Sequence, residues 1–338
     1  MSSHAQGRRP VRLPANQPER FYRGGAAIAA LRGSPAREFG PEDWVASCST
    51  LHGSPDLGLS VLPDGRVLRD AIAEHADAWL GPTHLARFGP DPALLVKLLD
   101  AGQRLPVHCH PPDEFAAAHF GSRYGKTEAW VVVGAGPDAT VHIGFAEDVA
   151  AGTVADWVAR QDSAAMLGAL NAVAVRPGDT VFVPAGVPHA IGPGIFIVEL
   201  QQPTDLSVTL EWKGFLDTEG GGHLGVGFET ALGCVDRSGW DGDRLVHREE
   251  DTEAPVRDLF GQAARGFFRA ERVRGGAELT ASYGVLVVLS GTGVLHTEHG
   301  GDVPVTRGDT YVVPHAAGAA TVAGDLVAVR CLPPGTSP

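Results

Sequence analysis

A chain of 338 residues with 43% hydrophobic and 20% charged residues has ordinary globular composition and enough length for about two domains. Its formal net charge of −13 argues against nucleic acid or an anionic membrane as partner, and no apolar run nears the roughly 20 residues of a membrane-spanning helix. Cys48, Cys109, Cys234 and Cys331 lie far apart without a CxxC pair, which fits a reduced, cytoplasmic protein.

Residues 1–20 are rich in Pro, Arg and Gln, lack an apolar core, and read as a flexible leader rather than a secretory signal. Helical spacing, with apolar residues three and four apart, occurs in "VLRDAIAEHADAWL" (67–80) and "TVADWVARQDSAAMLGAL" (153–170). The second marks a small helical insertion around 147–172. Elsewhere "ALLVKLLDA", "EAWVVVGAG", "TVHIGF", "TVFVPAG" and "GIFIVELQQ" read as strands bounded by turn residues. The 44 glycines and 25 prolines punctuate many such short segments, so the fold expected is mainly β, a sandwich or barrel.

The two halves repeat. "VRPGDTVFVPAG" (175–186) recurs as "VTRGDTYVVPHA" (305–316), and one offset of 130 residues relates Gly178 to Gly308 and Pro184 to Pro314. Two related β-barrels are therefore expected. The first spans 21–212, an irregular Gly-rich connection runs over 213–260, and the second barrel spans 261–338. The second copy has Ala319 where the first has His189, Val285 where it has Glu128, and no HxH upstream. His296, His299 and His315 do not restore the pattern, so this copy is expected to be metal-free.

His108 and His110 are two residues apart, which on a strand turns both imidazoles to one face and Cys109 to the other. A third histidine, His189, closes "GDTVFVPAGVPHAIGPG". Gly178, Pro184, Gly186 and His189 match the second cupin motif, G-x5-P-x-G-x2-H, position for position. The HxH after Gly102 resembles the first motif, with Gly102 six residues before His108. The combination points to a metal site. Glu128, which opens an apolar strand, is the favoured carboxylate ligand, with Glu114 in reserve because its surroundings have helical composition. Imidazoles with a carboxylate suit a divalent ion, zinc first, with iron, manganese or nickel as alternatives.

The stretch "LLVKLLDAGQRLPVHCHPPDEFAAAHFGSRYGKTEAW", with "GDTVFVPAGVPHAIGPGIFIVELQQPTD", resembles type I mannose-6-phosphate isomerases, and the likeness covers residues 94–212. A fainter likeness extends over "DWVASCST" (43–50). The resemblance implies two cupin-type jelly rolls and a zinc held by Gln, His, Glu and His. Carried over, these positions are His108, His110, Glu128 and His189, the first a departure from Gln. It also implies an aldose–ketose isomerase that moves a proton through an enediol, with Lys126 and Glu199 as catalytic residues. Gln201 and Gln202 would bind sugar hydroxyls or orient ligands. A family arginine ten residues after the glutamate is Thr209 here, and a phosphate-holding serine is Pro106. Lys97, Lys126, Lys213 and Arg123 are the cations that could compensate. The expected partner is a small sugar or sugar phosphate. An isomerase or epimerase of an unphosphorylated or modified sugar is one alternative, and an iron cupin dioxygenase, favoured by His108, is another. A homodimer is compatible with exposed barrel faces.

Overall fold

The strands Leu95–Asp100, Glu128–Gly134 and Phe196–Gln201 are nearly continuous apolar runs, which suit a sheet covered on both faces. The computed structural model, which describes residues 7–248 and 253–335, places them within a six-stranded antiparallel sheet. Its order is Val246–His247, Thr180–Val183, Glu128–Gly134, Phe196–Gln201, Leu95–Asp100, Glu42–Val45.

Alternation along each strand sends successive side chains to opposite faces. Val96, Leu98, Val131, Val198 and Leu200 pack on one side with Val285 and Val329 of the C-terminal sheet and with Phe268 and Tyr283, which precede two of its strands. On the other side Trp130, Val132 and Ile197 pack against Val141, Ile143 and Ile191. Those three belong to a five-stranded sheet ordered Val208–Thr209, His108–Cys109, His189–Ile191, Thr140–Phe145, Leu170–Ala174. Each fully buried aliphatic side chain contributes about 1.5–3 kcal/mol, so both faces hold the stack together.

The C-terminal sheet has eight strands, the longest being Gly284–Thr297 and Ala320–Leu332. The internal repeat survives as register. Thr180–Val183 pairs with the start of the Glu128 strand, and Thr310–Val313 pairs with the start of the Gly284 strand. Val183 lies opposite Glu128 and Val313 opposite Gly284, so the register counterpart of Glu128 is Gly284, one residue from the expected Val285. The fold is mainly β and antiparallel as expected. Its three sheets have open strand orders, and a pair of closed barrels is not seen among the described residues.

From residue 7 onward the expected leader is packed. Val11–Arg12 pairs with Tyr311 and Val312, Leu13 is buried, and the Asn16 amide donates to the carbonyls of Trp44 and Gly58. Composition gave no sign of this, because the pairing partner lies some 300 residues away. The helical segment at 153–170 is two helices, Ala151–Arg160 and Ser163–Ala169. Gln161 breaks it with φ of 52°, and its side-chain amide donates to the Val158 and Leu210 carbonyls, which helps hold that left-handed turn. Asp162 then caps the second helix through the Ala165 amide. The Gly-rich stretch 213–239 carries only short turns of helix, such as Glu219–Gly222 and Phe228–Ala231. No helix among the described residues is long and apolar enough to cross a membrane.

Candidate metal centre

The five-stranded sheet supplies histidines and the six-stranded sheet supplies carboxylates, and the two sets meet between the sheets. His108 and His189 are directly paired across antiparallel strands, and His110 follows one residue beyond the strand that carries His108. The three rings converge, with centroids 4.2–5.0 Å apart and ligand atoms within 4.8 Å of one another. Cys109 points the other way, packed in the core 3.8 Å from the Cys234 sulfur.

Each imidazole is oriented by a backbone carbonyl. Nδ1 of His108 donates to Pro106, Nδ1 of His110 to Leu206, and Nδ1 of His189 to Val187, each at 2.9 Å. A carbonyl only accepts, so Nδ1 carries a proton in each ring and Nε2 is the nitrogen turned toward the cluster. The Nε2 atoms of His110 and His189 are buried and make no well-formed hydrogen bond. Burial, reinforced by its two neighbouring histidines, holds His108 well below its usual range. Burial and the Lys126 charge pull His110 down to about 4. Neutral imidazole is the form that binds metal.

Glu128 brings its carboxylate to 3.1 Å from His110 Nε2 and 3.2 Å from His189 Nε2. Trp130, two residues on and on the same face, donates to it at 3.0 Å. Burial opposes the charge, but Lys126 and His110 hold the carboxyl well below its usual range. Glu114, the reserve carboxylate, is exposed on the helix Asp113–Phe120, away from the cluster, because that segment is helical rather than extended. The three buried imidazoles converge within 4.8 Å and fit a divalent ion such as zinc, with the Glu128 carboxylate against two of them.

Lys126 and Glu199 border the cluster. Lys126 Nζ lies 3.0 Å from Glu128 and 3.5 Å from Glu199. Burial would pull the Lys126 ammonium down, yet the Glu128 and Glu199 charges raise it instead, against the lowered value expected from burial alone. Burial and then the Glu128 charge push Glu199 up to about 8. Gln202 bridges Asp113 and the Thr127 amide at 2.8 Å each, and Asp113 also accepts from Gly125. The segment carrying Lys126 and Glu128 is thereby pinned at both sides. Gln201 donates to the Thr204 carbonyl. Lys213 is exposed, and Arg123 donates to the Phe88 carbonyl on the surface.

Four residues not singled out from sequence complete the surroundings: Arg20, Tyr22, Glu42 and Asp205, all lining the cavity beside His108. Arg20 lies 3.2 Å from Glu42 and 3.1 Å from Asp205, and Lys97 lies 3.2 Å and 3.4 Å from the same two. Trp44 donates to Glu42 at 2.6 Å and lies under the Lys97 ammonium, 4.6 Å from the ring centroid. Thr209 faces His108 across the strand pair and, with Pro106, forms neutral wall. The free space between these side chains is about 50 Å³.

No protein-family model matches the chain. It is 33% identical over 171 residues to GmuF, a probable mannose-6-phosphate isomerase of Bacillus subtilis (strain 168), a match covering 51% of this chain and 50% of that one. It is 38% identical over 127 residues to the mannose-6-phosphate isomerase ManA of the same organism, covering 38% and 39%. The match to a third relative, YvyI, is 26% over 283 residues and covers 81% and 84%. The chain thus spans half or less of the first two relatives. Among solved structures, the mannose 6-phosphate isomerase of B. subtilis superposes with a TM-score of 0.76 at 23% identity, over 96% of this chain and 99% of that one. A zinc-bound mannose 6-phosphate isomerase gives 0.73 at 16%, over 96% and 100%. At these identities the structural likeness speaks for the fold, and the curated relatives speak for kinship. The chain is thus similar in sequence to mannose-6-phosphate isomerases over about half its length or less at 33–38% identity, and it shares their fold over nearly all of its length.

Proposed function

We propose that this protein is a metal-dependent sugar isomerase that interconverts an aldose and its ketose. The observation that carries the reading is the placement of Glu199, buried at the cavity wall beside Lys126 and next to the three-imidazole cluster. His108, His110, Glu128 and His189 are the proposed ligands. A divalent ion held by them supplies Lewis-acid polarisation of a sugar carbonyl oxygen. Glu199 takes the proton from C2 of the open-chain aldose and returns it to C1, while the O2 proton passes to O1, so that no atom is gained or lost. Lys126 holds Glu199 and Glu128 apart and offers an ammonium to the developing enediolate oxygen. Trp130 and the Gln202–Asp113 bridge keep Glu128 and Lys126 in position. The 261–338 region is proposed as metal-free and structural.

The kinship with mannose-6-phosphate isomerases supports mannose 6-phosphate, or a sugar related to it, as the substrate class. The test follows ketose formation by NMR in deuterated buffer with zinc-reconstituted protein. Turnover should carry deuterium into the product at the carbon that receives the proton. No ketose and no label from any aldose, phosphorylated or free, would end the reading. A second reading, an iron-dependent dioxygenase, rests on the third imidazole at His108; it requires oxygen consumption by ferrous protein.

A further inference from the structure

We infer that the sugar taken by this site is uncharged: a polyhydroxy aldehyde or ketone without a phosphate or other strong anionic group. The inference rests on the isomerase reading above and sharpens its substrate class.

A phosphate dianion needs cations free to make charge-assisted, often bidentate contacts. The cations lining the cavity are Arg20, Lys97 and Lys126. Every one is engaged by two buried carboxylates within 3.5 Å: Arg20 and Lys97 by Glu42 and Asp205, Lys126 by Glu128 and Glu199. Each cation is therefore shared between two carboxylates, and a dianion arriving there would find none of the three free. To gain a cation it would have to displace a carboxylate and leave that group buried without its partner, the costly way to break an interior ion pair.

Of the cations just outside the cavity, Arg104 is committed as well. Arg104, beside Pro106, is doubly bound to Glu211 at 2.6 Å and stacks on Phe215. Beyond Asp205 lies a second cavity, and its arginine, Arg69, sits on the surface 3.7 Å from Asp70 in a wall that also holds Asp91. The rest of the site wall offers hydroxyls and apolar surface, among them Thr209, Ser207, Leu105 and Ile191. Such walls recognise sugar hydroxyls and ring carbons. The carboxylates paired to the cations are themselves strong acceptors for hydroxyl protons, which suits a neutral polyol.

The full zinc-loaded chain would be titrated calorimetrically with mannitol and with mannitol 1-phosphate, alongside NMR turnover of free mannose and mannose 6-phosphate. The expected result is mannitol binding tighter than its phosphate by on the order of tenfold or more, with inorganic phosphate failing to compete. Equal or tighter binding of the phosphate ester, or no binding of either polyol, overturns the inference. If mannitol binds selectively but no aldose is converted, the isomerase reading falls and the neutral pocket stands. Asp205→Asn, which removes one carboxylate from Arg20 and Lys97 at constant shape, should strengthen mannitol 1-phosphate binding by about tenfold. No gain in a folded variant would overturn the role given to the ion pairs.

Discussion

Glu211 accepts two N–H groups of Arg104 at 2.6 Å each, and the same carboxylate accepts the backbone amide of Val107 at 3.0 Å. The Glu211 amide in turn donates to the Val107 carbonyl. The residue before His108 is thus clamped from both sides. Glu211→Ala is expected to lower zinc affinity by roughly tenfold, the range seen when support behind a ligand is lost, while Arg104→Lys should cost less. Competition with a chromogenic chelator measures both, and an affinity equal to wild type in Glu211→Ala would remove the clamp from the account of the site.

The same pair sets a pH dependence. Burial alone would push the Glu211 carboxyl up, but Arg104 and the Val107 amide hold it below the usual carboxylate range. A depressed folded value means stability that is present above the ordinary carboxylate pKa, about 4.3, and is lost as pH falls through the folded value. Glu211→Gln should therefore cost about 1–2 kcal/mol at neutral pH and less in acid. Urea melts from pH 7 to 3 check the sign; a gap that widens toward acid contradicts it.

Zinc should raise the melting temperature of the wild type, and chelator should lower it, by the linkage between binding and folding. His189→Ala should abolish this response. His296→Ala and His299→Ala should leave it intact, since both side chains are exposed, at Asp302 and Glu298 respectively. Differential scanning calorimetry with and without metal separates the two sets.

Glu199→Gln keeps shape and removes the proton carrier. Turnover should fall by about 10²–10⁴, with zinc content unchanged because Glu199 is not a proposed ligand. Loss of metal along with activity would recast Glu199 as part of the coordination shell.

Gln202→Ala severs the bridge from Asp113 to the Thr127 amide. The expected effect is about 1–2 kcal/mol of stability and a lowered kcat with substrate affinity little changed, as Lys126 and Glu128 lose their fixed spacing. An unchanged kcat would show that strand pairing alone holds them.

Much of the site was legible in short spacings. His108, His110 and His189 sit at offsets that a strand and a tight turn convert directly into convergence, and Glu128 and Glu199 begin or interrupt apolar strands where a charge has no packing reason to be. Arg20, Glu42 and Asp205 were not legible. Their association comes from strand pairs such as Trp44 with Lys97, and from a proline-rich N-terminal segment whose composition resembles unstructured chain. Helix boundaries failed at Gln161 for a local reason, a left-handed residue whose side chain caps its own turn. The fold class was readable from short apolar segments bounded by turn residues, whereas sheet closure, a matter of long-range register, was not.

Glu199 lies between Val198 and Leu200, and those two neighbours point through the sheet into the C-terminal packing. The reacting side and the supporting side are therefore one layer thick and one residue apart. A shortened protein ending near residue 212 would lay bare an oily wall formed by Val96, Leu98, Val131, Val198 and Leu200, an invitation to aggregate. The second half of the chain, without a single proposed ligand, is the foundation on which the first half stays soluble and level. Modular shuffling that separates the two would forfeit both.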